Sequence, residues 1–363
     1  MTVGLACPSC GATYAPGPAE PWRCECGEPL AFAERPLPAG PPDVLDRDRG
    51  LWAFESALPV ESRVTLGEGF TPLVPAPEFD AAFKLEYVFP SGSFKDRGAT
   101  ATLSRAAELG VDRVVEDSSG NAGAAIAQYA ARAGIDAEIY VPADAKASKL
   151  DAIRRVGATP VPVEGSRRDV TAACVEAVEE GDAWYASHAW NPAFFAGTST
   201  VALEVAAQRD WSVPDALVLP VGHGTLFLGA HRGFRALAAA GWTERVPRLL
   251  GVQATGVSPI ADALHGGSSD GEPAPNDAAD GIQIADPVRN DEILEAVAAT
   301  DGDVVAVGQD ATEDALASLH GAGFYVEPTS AVAVAGLRDY RERDVLGPGD
   351  DVVVPLTGSG LKY

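Results

Sequence analysis

Between residues 95 and 187 the apolar positions change period at a steady pace. Spacing of three and four predicts helices over 95–109, 122–133, 147–156 and 169–180, and short apolar runs between them predict strands over 113–117, 137–141, 159–163 and 183–187. Alternation of this kind means a parallel sheet wrapped by helices. A second series starts with a strand at 216–221 and a helix at 225–240, and continues with strands near 248–253, 303–307 and 352–356. The expected fold class is α/β in two lobes. Upstream, residues 83–89 alternate apolar and polar side chains as a strand does. Residues 35–50 and 266–280, rich in Gly, Pro, Ser and Asp and without periodicity, read as a linker and as a mobile surface loop.

Composition narrows the partners. A chain of 363 residues with 46% hydrophobic content buries a core of the size that a two-lobed enzyme needs. The net charge of −25 repels nucleic acid and anionic membranes, which excludes both as binding partners. The 52 acidic residues are spread along the chain and only five lysines occur, a balance that suits a halophilic protein, where salt screens self-repulsion. There is no apolar run of about 18 residues and no basic-then-apolar leader, so a cytoplasmic location is expected.

Three turns carry candidate chemistry. Lys95 stands where the stretch Pro90-Ser-Gly-Ser-Phe-Lys-Asp-Arg-Gly98 turns into a helix; Ser118, Ser119, Gly120 and Asn121 open a second helix, and Gly222, His223, Gly224, Thr225 and Leu226 a third. Helix N-termini attract anions, and a lysine at such a positive end sheds its proton cheaply, which an imine with a carbonyl cofactor requires. On spacing alone, a lysine in a first helical turn is more often a solvated side chain. Four of the five cysteines, Cys7, Cys10, Cys24 and Cys26, form two close pairs in the first 26 residues. Four thiolates can close a structural zinc site with no open position for chemistry; free cysteines in a frayed leader are the other reading.

Seven segments in register resemble the fold type II pyridoxal phosphate enzymes (tryptophan synthase β-like), and among them the threonine synthases. They are Glu68-Gly-Phe-Thr-Pro-Leu73, Ser91-Gly-Ser-Phe-Lys-Asp-Arg-Gly98, Ser118-Ser-Gly-Asn-Ala-Gly123, Gly222-His-Gly-Thr-Leu226, Gly251-Val-Gln253, Glu327-Pro-Thr-Ser330 and Leu356-Thr-Gly-Ser-Gly-Leu-Lys362. The cysteine-paired leader is similar to the zinc-ribbon-like start of archaeal threonine synthases. The resemblance implies a zinc-ribbon-like segment at 1–34, a linker at 35–50, a large α/β domain from 51–94 and 196–363, and a small one at 95–195. It implies pyridoxal 5'-phosphate held by Lys95 as an imine, with Asn121 on the ring hydroxyl, Gly222, His223, Gly224, Thr225 and Leu226 around the phosphate, and Thr357 facing the ring nitrogen. Thr71, Ser118, Ser119, Gly120, Asn121, Lys149 and Asn191 would contact an amino-acid substrate, and a homodimer is the family expectation.

The activity so implied is that of a carbon–oxygen lyase of amino-acid biosynthesis that converts O-phosphohomoserine and water to threonine and phosphate. The chain departs from the family at Asn191-Pro-Ala-Phe-Phe-Ala-Gly-Thr-Ser-Thr200, where Phe194 takes an arginine position and Ser199 a lysine position. A departing phosphate would then rely on Lys149, Arg97, His188 or Arg154. The departure keeps open a lyase or β-replacement synthase acting on serine, threonine or phosphoserine, and a non-catalytic paralogue, against which the intact Lys95 speaks.

Overall fold

The computed structural model describes residues 2–33, 37–181, 183–266 and 274–362. In chain order its elements are β1 (Leu5–Ala6), β2 (Thr13–Tyr14), β3 (Ala31–Phe32), β4 (Leu73–Ala76), β5 (Ala81–Lys84), α1 (Lys95–Leu109), β6 (Arg113–Glu116), α2 (Asn121–Ala133), β7 (Asp136–Pro142), α3 (Ala147–Arg155), β8 (Thr159–Val163), α4 (Arg167–Glu179), β9 (Trp184–Tyr185) and α5 (Pro192–Ala207). There follow β10 (Ala216–Pro220), α6 (Thr225–Ala239), β11 (Arg248–Ala254), α7 (Pro259–His265), α8 (Asn290–Ala299), β12 (Asp303–Val307), α9 (Gln309–Gly321), α10 (Pro328–Glu342) and β13 (Val352–Pro355). The chain divides into two compact units, Met1–Gly69 with Lys95–Thr198 and Phe70–Phe94 with Ser199–Tyr363.

The first unit holds a four-stranded parallel sheet in the order β8-β7-β6-β9 and a small antiparallel sheet, β2-β1-β3. Its core gathers Val114 and Ile139 from the sheet with Leu103 of α1 and Ile126 and Tyr129 of α2, all fully buried. A second cluster joins the cysteine-bearing leader, through Leu5, Cys7, Cys24 and Leu30, to Leu51, Trp52, Ala193 and Ala196. Residues 51–69, expected with the large domain, therefore pack within this unit. The expected linker is also shorter at its end: Gly50 is buried with φ +58°, and the Leu51 amide bonds the Glu68 carbonyl at 2.8 Å. Residues 34–36 of that stretch lie outside the described residues.

The second unit holds a six-stranded sheet in the order β12-β11-β10-β13-β5-β4, parallel except for the β4–β5 pair. Every residue of β10, Ala-Leu-Val-Leu-Pro, is buried, as a central strand covered on both faces must be. The strand expected at 83–89 is shorter and earlier: β5 ends at Lys84 and residues Glu86–Val88 form a 3-10 turn. Alternation misled because Lys84 and Glu86, read as a solvent face, are both fully buried and paired inside. The loop expected at 266–280 is likewise packed at its far end, where Asn276 donates to the Val307 carbonyl and Ala279 is buried; residues 267–273 lie outside the described residues. Helix α5 escaped the periodicity because it is buried on every side, so no polar stripe marks it.

Candidate active site

In the first unit, Lys95 is the first residue of α1 and half-buried, with Nζ 5.8 Å from the centre of the Phe194 ring. Two glycines let α1 and the start of α5 meet at backbone distance. A Cβ on Gly98 would fall 2.3 Å from the Phe194 ring, and one on Gly197 would fall 1.8 Å from the Arg97 carbonyl oxygen. Phe194 is thus wedged, fully buried, against the first turn of the lysine helix. That turn is tied down on its other side by Glu68, whose carboxylate accepts from Trp52 Nε1 at 2.9 Å and from the Tyr129 hydroxyl at 3.0 Å. Tyr129 also donates to Asp96, next to Lys95, at 3.3 Å. Burial, then the charges of Asp96 and Glu68, push the Tyr129 hydroxyl far above its ordinary range, so it remains a donor.

The turn from β6 to α2 carries Ser118, Ser119, Gly120 and Asn121, all partly exposed. Ser118 Oγ accepts from the Gly120 amide at 3.2 Å, and Asp117 accepts from Thr171 Oγ1 at 2.6 Å and the Tyr185 hydroxyl at 2.9 Å, which fixes the start of the turn. Glu116, the last residue of β6, is fully buried and bonds His188 twice: Oε2 accepts from the backbone amide at 3.2 Å and Oε1 lies 2.6 Å from Nδ1. Burial, followed by the Asp117 charge, pushes the Glu116 carboxyl well up. Asn191, expected at the substrate, caps α5: its Oδ1 accepts from the Ala193 amide at 3.0 Å and its Nδ2 donates to the Tyr185 carbonyl at 3.2 Å. It also borders a cleft of about 470 Å³ with Glu20, Trp22 and Trp184, which contains none of the other expected site residues. Lys149 lies in the first turn of α3, half-buried; Arg154 pairs with Asp151 at the surface, and Arg97 is fully buried.

In the second unit, Thr71 is buried, donating through Oγ1 to Glu86 at 2.6 Å, while its carbonyl accepts from Lys84 Nζ at 2.6 Å and Gln208 Nε2 at 2.9 Å. Lys84 Nζ also donates to Glu204 at 2.7 Å and to Gln208 Oε1 at 2.9 Å. The turn Gly222 to Leu226 joins β10 to α6. Gly224 has φ +70°, and a Cβ there would lie 2.5 Å from Ile293 Cδ1, so only glycine builds this turn. It presents first-turn amides that α6 itself leaves unused, a donor set that fits a phosphate. Thr357 follows β13, its hydroxyl 3.0 Å from Ser330 Oγ at the start of α10. Its carbonyl accepts from the Phe94 amide at 3.0 Å, which anchors the residue immediately before Lys95.

The four leader cysteines come together, with all Sγ atoms within 4.8 Å of one another and the Cys7–Cys26 and Cys10–Cys24 pairs at 3.6 and 3.4 Å. Tetrahedral zinc thiolates have edges of about 3.8 Å, so the donors fit one metal ion. Sequence reasoning named His188 only as a spare cation, gave Ser330 no role within its matched segment, and passed over Glu116. An acid closing the apolar run Arg113-Val-Val-Glu116 was the available signal.

The described residues contain no helix long and apolar enough to cross a membrane. A family model for pyridoxal-phosphate dependent enzymes matches residues 64–358. A threonine synthase of Methanosarcina acetivorans is 35% identical over 86% of this chain and 80% of its own length, and one of Methanocaldococcus jannaschii is 31% identical over 98% and 92%. Among solved structures, the processed form of threonine deaminase isoform 2 from Solanum lycopersicum superposes with a TM-score of 0.69 at 23% identity, covering 90% of this chain and 92% of that one, and it shares the fold. The architecture is α/β of fold type II, and a lysine-bearing helix start, a glycine-built turn before α6 and this degree of kinship lead to one assignment: the chain belongs to the threonine synthase family of pyridoxal-phosphate dependent enzymes.

Proposed function

We propose that this protein is a threonine synthase-like carbon–oxygen lyase that converts O-phosphohomoserine and water to threonine and phosphate. The observation that carries the reading is the setting of Lys95, at a helix N-terminus and half-buried against an aromatic ring, in a chain whose relatives are threonine synthases. Lys95 holds the aldehyde of pyridoxal phosphate and moves the proton at the substrate α carbon. The amides of Gly222 to Leu226, with the His223 and Thr225 side chains beside them, hold the phosphate; Asn121 serves the ring hydroxyl and Thr357 the ring nitrogen. Bound there, the cofactor supplies an electron sink, tuned by a neutral hydroxyl towards elimination and replacement at the β and γ carbons. Ser118, Ser119, Gly120, Asn121 and Thr71 receive the substrate carboxylate, with Lys149 and Asn191 at the substrate's far end.

Cys7, Cys10, Cys24 and Cys26 bind structural zinc, the four-stranded unit is the small catalytic domain, and the working form is a cytoplasmic homodimer. A second reading, a lyase or β-replacement synthase for serine, threonine or phosphoserine, is favoured by Phe194, a fully buried apolar ring at a family arginine position. A panel of phosphohomoserine, homoserine, threonine, serine and phosphoserine separates the two. Phosphate release with threonine from the first supports our reading, and ammonia from the hydroxy amino acids alone overturns it. Lys95→Ala is expected to abolish turnover and borohydride labelling, and a sharp gain with phosphohomoserine in Phe194→Arg would favour the second reading.

A further inference from the structure

Ser330 stands in the first turn of α10 and takes no part in the roles assigned above, yet its hydroxyl meets three polar atoms just after β13. It accepts from the Gly358 amide at 2.8 Å, and it lies 3.0 Å from Thr357 Oγ1 and 3.1 Å from the Gly358 carbonyl oxygen. Both Ser330 and Thr357 are buried. Among the described residues, Ser330 is the one polar partner of Thr357 Oγ1. The backbone that carries Thr357 is held from two sides: its carbonyl accepts from the Phe94 amide at 3.0 Å, and the Gly358 carbonyl accepts from the Glu327 amide at 3.0 Å. What is left to turn is the Thr357 hydroxyl. Glu327 is the charged group packed against this stretch; its carboxylate leaves no room for a Cβ on Gly358 and bonds neither hydroxyl.

Two hydroxyl protons have to be shared out among these atoms. An amide can only donate, so the Gly358 N–H claims a lone pair of Ser330 and turns the serine proton away from itself. That proton has two acceptors in reach. The Gly358 carbonyl already accepts from Glu327, whereas Ser330 is the only donor that Thr357 Oγ1 has among the described residues. A chain of bonds that runs one way from the amide is also strengthened at each link. The serine proton therefore goes to Thr357, and the threonine proton points onward, away from Ser330.

We infer that Ser330 is a positioning residue that makes the Thr357 hydroxyl a donor, so that this end of the site selects a ring nitrogen with an open lone pair. This rests on the reading that Thr357 faces the ring nitrogen of pyridoxal phosphate. Thr357 touches the ring, and Ser330 acts through it. A nitrogen that accepts from Thr357 stays unprotonated at neutral pH, the condition in which the ring is a weak electron sink. With the threonine proton on Ser330 and the serine proton on the Gly358 carbonyl, the same atoms would present a lone pair and take a protonated ring. The direction of the relay, not the mere presence of a hydroxyl, sets the charge of the ring.

The test uses the full chain loaded with pyridoxal phosphate that carries nitrogen-15 in its ring. In the parent, the ring signal should stand at the position of a neutral, hydrogen-bonded nitrogen and stay there across neutral pH. Thr357→Val removes the donor and should move the signal downfield, towards the free base. Ser330→Ala should move it the same way by part of that distance, and Ser330→Cys, which keeps the volume with a poorer donor, by less; the cysteine variant carries the test if the alanine variant does not fold. In the Thr357→Val background a change at Ser330 should add nothing, whereas a merely structural serine acts in both backgrounds. The preference for pyridoxal phosphate over its deaza analogue, which has C–H in place of the ring nitrogen, should fall about threefold in Ser330→Ala. A protonated ring in the parent, or a signal indifferent to Ser330, overturns the inference and leaves the cofactor reading in place. If the parent takes up no labelled cofactor, that reading fails and the inference falls with it.

Discussion

Gly123 sits in the first turn of α2 with an unexceptional helical backbone, yet no other residue fits. A Cβ there would stand 1.8 Å from the Ser118 carbonyl oxygen and 2.9 Å from Ile139 Cγ2. Alanine would gain about 1 kcal/mol of helix propensity, but the atom it meets is backbone and cannot swing aside. The clash therefore wins: Gly123→Ala is expected to destabilise the protein by about 2 kcal/mol in urea titrations, and to displace the Ser118 to Asn121 turn and weaken amino-acid binding. The glycine was legible in the sequence as part of a motif, but its partner was not, because that partner is set by how the turn folds back on its own helix. Phe194 is similar. It was visible as a departure from an arginine, whereas its seat against Gly98 depends on how closely α1 and α5 approach. Glu116 and His188 were the least legible of all, since nothing local in either segment announces a buried pair.

At the scale of elements, regular alternation was easy to read and uniform burial was not. The helices and parallel strands between residues 95 and 163 stand within two residues of the pattern, because helical spacing and short apolar runs alternate there at a steady pace. Helix α5 has no polar face, and β5 hides a lysine in a buried ion pair, so period alone fails for both. The cysteine leader is a different case, since its strands are two residues each and bury little without help. Cys7 and Cys24 are buried in the same cluster as Leu5, Leu30, Trp52 and Ala193. If zinc holds the knuckles, as proposed, purified protein should carry one zinc per chain by elemental analysis. Cys24→Ser or a strong chelator should remove it and raise hydrogen exchange over residues 5–32, while the exchange of β10 and β11 stays unchanged. Full protection of the leader without metal would contradict the zinc assignment.

For the whole molecule, the fold class was legible from composition and alternation, while the make-up of the units was not: residues 51–69 follow the leader into the first unit through Trp52 and Glu68. The charge of −25 acts on every part alike. Screening at about 1 M salt shortens the reach of repulsion from roughly 10 Å to 3 Å. The melting temperature is therefore expected to rise by several degrees between low and molar potassium chloride, and a flat or falling curve would count against adaptation to salt. Buried pairs such as Lys84 with Glu204 should contribute little to that slope, being out of reach of ions. The tether between Phe94 and Thr357 bears on the order of events during synthesis. A ribosome that has finished the four-stranded unit has yet to make the residue that moors Phe94. Phe94 emerges early and is moored late, so its amide finds that acceptor only when the chain is nearly complete.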